Sequence, residues 1–124
     1  HRLKYFNSVY ELNEDAADMN TVAQRFGVTY GEGLMATDTA FVTRNHPLVE
    51  GLTMLEMAPD NGVPFVAANG ETLAWTLGLP VLQLLEAGSG EVLVLADLGM
   101  LNHRGDDLHN LAFWNNLASY ARSR

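Results

Sequence analysis

The sequence predicts an α/β layered domain, and three observations carry that prediction. Apolar residues recur at three- and four-residue spacing over residues 13–26, the period of one helix face. Val92-Leu93-Val94-Leu95-Ala96 is continuously apolar, as a strand covered on both faces must be. A second amphipathic repeat, Leu108, Leu111, Ala112, Asn115 and Ala118, follows possible caps at Asp106 and Asp107. Helix, strands and helix in that order pack as layers around one core.

Each element has a local reason. In the first helix Ala16, Met19, Ala23 and Phe26 form the apolar face, with Val22 beside them. Glu14, Asp15 and Asp18 sit near its positive end, Arg25 lies in its last turn, and Gly27 can take the left-handed conformation that closes it. Residues 28–30 read as a short strand broken by Gly31 and Gly33, and residues 35–45 as polar and irregular apart from Phe41 and Val42. His46-Pro47 holds the backbone extended into a strand over 52–57, which the turn residues 58–62 end. Asn69-Gly70 between residues 65–68 and 71–76 suits a two-residue hairpin turn, and a short helix over 72–77 closed by Gly78 is the competing reading. Strands over 81–86 and 91–96 flank Ala87-Gly88-Ser89-Gly90. The final helix ends with Arg122 and Arg124 against its negative pole.

Composition narrows the function. The chain has 124 residues, 15 acidic against 7 basic, with a formal charge of −8 and a single lysine, Lys4. That is enough for one domain, and no basic stripe exists to neutralise the phosphates of a nucleic acid or an anionic membrane. No apolar run approaches the roughly 20 residues of a spanning helix, so direct membrane insertion is not expected. With no cysteine there is no disulfide, thiolate metal site or cysteine nucleophile. Between Asn45 and His103 there is no lysine or arginine, which suits a buried sheet with solvated carboxylates at its edges or an acidic cation-binding face.

The residues that could carry chemistry cluster in the loop after the apolar strand, where ligands collect in open α/β sheets. Asp97 can order that loop by accepting backbone N–H groups, or hold a ligand hydroxyl or a cation. Asn102 and Asn110 can brace turns through their amides or bind a ligand. His103 and Asp106 add donors, but with His109 they match no metal-binding spacing, so neither a metal nor any other cofactor is expected. His46, held extended before Pro47, is a second candidate, either as a structural hydrogen bonder or as a site residue. Gly88-Ser89-Gly90 lacks the flanking residues of a nucleophile elbow. Trp75 and Trp114 read as core or interface residues rather than as sugar-stacking platforms.

Taken together, "NHPLVEGL" (45–52), "GSGEVLVLADLGMLN" (88–102) and "DDLHNLAFWNNLASYA" (106–121) resemble the later part of class I glutamine amidotransferase-like domains, as does the helix ending "AQRFGVTYG". The resemblance is to the non-catalytic branches found in trehalose-utilisation-type and bacterial surface or transport-associated proteins. It implies a flavodoxin-like sheet with flanking helices, incomplete at its start, and an extracytoplasmic or envelope-associated setting. The catalytic members use a cysteine that this chain lacks, so no triad carries over.

Three functions follow as expectations. The first is a non-catalytic ligand-sensing or protein-interaction module of a larger protein, with Asp97, Asn102, His103, Asp106, Asn110 and His46 as ligand-binding candidates. Its partner would be another protein or the remainder of a longer chain. The second is a hydrolase or sugar-related enzyme pairing Asp97 with His103 or His46. The third is a structural assembly module that forms homo-oligomers.

Overall fold

A computed structural model describes residues 3–7, 20–31, 37–57, 62–67, 69–97, 100 and 108–123. Its strands are β1 (Leu3–Asn7), β2 (Val28–Tyr30), β3 (Thr39–Val42), β4 (Met54–Glu56), β5 (Phe65–Ala67), β6 (Glu71–Thr76), β7 (Leu79–Ala87) and β8 (Gly90–Leu95). An α-helix, labelled α1 here, runs over Leu108–Ser123. Six strands form one sheet in the order β1-β8-β7-β6-β3-β4, and β2 pairs with β5 in a second, two-stranded sheet.

The α/β class holds. Within it, the pairing departs from the parallel layering that a flavodoxin-like sheet would have. Among the described residues of the large sheet only β1 and β8 run parallel, while β8-β7, β7-β6, β6-β3 and β3-β4 are antiparallel. For β6-β7 and β7-β8 the cause is local: these strands are joined by turns too short for the crossover that a parallel pair needs. Thr76 pairs with Leu79 and Ala87 with Gly90, leaving two residues in each turn. Leu77 and Gly78 both have positive φ, the pattern of a type I′ turn. In the next turn Gly88 alone does, as in type II′.

The core gathers on β7 and β8. Every residue from Val81 to Leu85 and from Glu91 to Asp97 is buried, so this part of the sheet is covered on both faces, as the apolar run predicts. From α1, Phe113 and Leu117 enter the same core. The β3-β4 end of the sheet differs, since the paired Ala40 and Leu55 are buried while Phe41, the next residue, opposite Met54, faces out.

Two expectations are corrected. Residues 65–68 and 71–76 do not form a hairpin across Asn69-Gly70. Asn69 does take positive φ, at 60°, but the turn carries the chain from the small sheet into the large one, where β6 pairs with β7 and β3. The competing helix over 72–77 is absent, because those residues are in β6 and the turn after it. Thr39 and Ala40, read as irregular beside the apolar pair Phe41 and Val42, join that pair in β3. Its small Ala40 points inward and its large Phe41 outward, which inverts the pattern that marks a half-buried strand. Of the first predicted helix, residues 20–26 are helical and Gly27 closes them at φ 76°. Residues 13–19 lie outside the described residues. Among the described residues no helix is long and apolar enough to cross a membrane.

Candidate functional site

Two candidate residues prove to be braces. Asn110, 1% exposed, accepts a hydrogen bond at Oδ1 from the Glu56 N–H (2.9 Å) and donates from Nδ2 to the Glu56 carbonyl (3.2 Å). Its amide completes the outer side of β4, the last strand of the large sheet. His46 caps the 3₁₀ turn Pro47–Val49, and its Nδ1 accepts the Leu48 N–H at 3.1 Å. The proton of the neutral ring therefore sits on Nε2.

The His46 ring also packs on Tyr120 of α1, with centroids 5.3 Å apart and planes tilted by 53°. Tyr120 in turn donates its phenol proton to Glu91 Oε2 at 2.6 Å, a buried contact. Glu91 is the second residue of β8 and stands opposite Glu86 on β7. Around this chain lies a cleft of about 690 Å³ whose polar lining comes from His46, Asn69, Glu71, Glu86, Glu91 and Tyr120. Glu71 meets Arg44 at 3.3 Å on the exposed rim. A second cleft, of about 880 Å³, is the inside of the 42–53 loop itself and shares His46.

Asp97 is buried, at 3% exposure, and its carbonyl accepts the Met100 N–H at 3.3 Å. It follows the end of β8, whereas Glu91 is the second residue of that strand, so Asp97 stands away from the His46 cleft and lines neither cavity. The structure does not bring Asp97 and His46 together. Asn102, His103 and Asp106 lie outside the described residues. Among the described residues no three histidine or carboxylate side chains gather as a metal set.

The cleft residues Glu91 and Tyr120 were absent from the sequence candidates. One signal pointed to Glu91: strand alternation puts it on the same face as Leu93 and Leu95, both fully buried, so its carboxylate had to be placed among apolar neighbours. Tyr120 had no such signal, because its partner comes from a distant strand.

No family model matches the chain, and no curated protein matches it. Among solved structures it is similar to a cold-adapted β-galactosidase from a Rahnella species, with a TM-score of 0.54 and 16% identity over 84% of this chain and 15% of that one. It is also similar to an exo-β-1,4-mannosidase from an Opitutaceae bacterium, with a TM-score of 0.49 and 13% identity over 98% of this chain and 19% of that one. The first likeness is one of fold alone, and the second is too slight to argue from. The chain spans less than a fifth of either solved structure.

Proposed function

We propose that this chain is a non-catalytic interaction module of a larger protein. One contrast carries the reading. The polar side chains best suited to chemistry are engaged with the fold: His46 with the Leu48 N–H, Asn110 with Glu56, and Tyr120 with Glu91. Phe41 and Trp75, by comparison, are exposed on the outer face of the sheet. Membership of a longer chain is supported by the small fraction of the β-galactosidase that shares this fold.

Descent from a class I glutamine amidotransferase-like domain without its nucleophile accompanies this proposal. The parallel β1-β8 pair supports a flavodoxin-like origin, since such a pair needs a crossover connection, and the antiparallel remainder is then a departure from it.

The test is turnover. Purified protein incubated with chromogenic glycosides, esters and amides should release product no faster than buffer, and Glu91→Gln and Asp97→Asn should not alter that. Product release that disappears in either variant would overturn the proposal and favour the hydrolase.

A further inference from the structure

A row of side chains crosses the large sheet at right angles to its strands. Met54 on β4 stands opposite Phe41 on β3, and Phe41 opposite Trp75 on β6. Directly opposed residues point to the same side of a sheet, so the three share one face. Pro80 of β7 follows opposite Trp75, beyond a bulge. Phe41 is 57% exposed and Trp75 38%, while their chain neighbours Ala40 and Ala74 are fully buried. The two rings do not stack on one another, and among the described residues the Trp75 indole N–H meets no acceptor.

Size and charge decide what can occupy this face. At those exposures the two aromatic residues offer roughly 200 Å², against about 800 Å² per partner in a standard protein interface. A globular partner or a second copy would gain little from it. The row carries no charge, and the chain's −8 with no lysine or arginine from 46 to 102 repels polyanions. What remains is a narrow, uncharged ligand with one apolar face and a hydrogen-bonding edge.

We propose that the Met54-Phe41-Trp75 row is a platform for an extended, uncharged polysaccharide. A pyranose ring offers its C–H face to an aromatic ring while its hydroxyls project from the rim. Those hydroxyls can accept from the Trp75 indole N–H and exchange hydrogen bonds with Thr43, which is exposed beside Phe41 at the end of β3. Neighbouring strands lie roughly 4.8 Å apart, so successive side chains of the row advance by about the length of one sugar unit in an extended β-linked chain. This assignment rests on the reading of the chain as a non-catalytic interaction module.

The test is electrophoresis of the whole chain through native gels containing hydroxyethyl cellulose or lichenan, with carboxymethyl cellulose as the anionic contrast. Mobility is expected to fall at least two-fold in one of the neutral gels and less in the anionic one. Trp75→Ala and Phe41→Ser should each restore free mobility, while Trp114→Ala, on α1, should migrate as the parent does. Thermal melts accompany each variant, and if Trp75→Ala is unfolded, Phe41→Ser at the more exposed position decides. Free migration of the parent in both neutral gels would overturn the assignment, as would retardation that survives Phe41→Ser. Concentration-dependent dimers lost in Phe41→Ser, without retardation, would overturn the glycan and retain the interaction module. Turnover lost in Glu91→Gln would instead overturn the module reading.

Discussion

The side-chain amide of Asn110 pairs with the main chain of Glu56 at both of its polar groups, as another strand would. An edge strand otherwise presents these groups to any passing chain. Asn20 does the same for Tyr30 on β2, accepting its N–H at 2.7 Å and donating to its carbonyl at 3.0 Å. The helix bearing Asn110 is thereby joined to the sheet by hydrogen bonds as well as by apolar packing. Asn110→Ala should lower unfolding free energy by about 1 to 3 kcal/mol, because it strands two partly buried backbone groups. Urea midpoints would measure this, and Asn20→Ala, at a half-buried site, should cost less.

Leu77 takes φ 52° in the β6-β7 turn and is 70% exposed. A left-handed conformation strains a side chain with a Cβ, and leucine gains no local hydrogen bond in return. Leu77→Asn should therefore stabilise the protein, by about 0.5 to 1 kcal/mol. A melting temperature unchanged or lowered would contradict the turn geometry.

Gly70 lies against Gln83. A Cβ built there would sit 2.5 Å from Gln83 Oε1 and 3.0 Å from Leu85 Cδ2. Gln83 is 6% exposed and is anchored by the bond from its Nε2 to Thr72 Oγ1 at 2.7 Å, so it cannot swing aside freely. Gly70→Ala should cost about 1 to 3 kcal/mol. In a Gln83→Ala background most of that penalty should vanish, and a double-mutant cycle returning no coupling would refute the contact.

Tyr30 donates its phenol proton to the Leu95 carbonyl at 2.8 Å, tying the small sheet to β8. Burial pushes its pKa far above the ordinary 10.0. In the unfolded chain the phenol ionises near pH 10, whereas in the fold it keeps its proton. The stability it contributes is thus complete below pH 10 and is lost as pH rises above it, by up to about 1.4 kcal/mol per pH unit. Tyr30→Phe should be about 1 kcal/mol less stable at pH 7. Its denaturation curves between pH 9 and 11 should fall less steeply than the parent's.

The sequence made β8 legible because a strand buried on both faces needs no alternation to be recognised. The final helix was legible from its period, and the His46-Pro47 turn from the restriction that proline places on its predecessor. β3 stayed hidden because Phe41 points outward, for reasons that belong to the surface rather than to the core. The turn at Leu77 was missed because leucine rarely takes positive φ, while Asn69 took it without closing a hairpin. Of the site, His46 was found, but its neighbours Tyr120 and Glu91 meet only through packing of elements far apart in sequence.

The pairing of β1 with β8 joins Leu3 to Glu91, which follows it by 88 residues in a chain of 124. Strands β6, β7 and β8 can zip together through two tight turns as soon as they are made, whereas the first strand has nothing to join until β8 exists. On the ribosome, β1 emerges before its partner strand and would be among the last elements to find its place in the sheet, and closing so large a loop is slow. Assembly of the large sheet is thereby tied to the synthesis of β8.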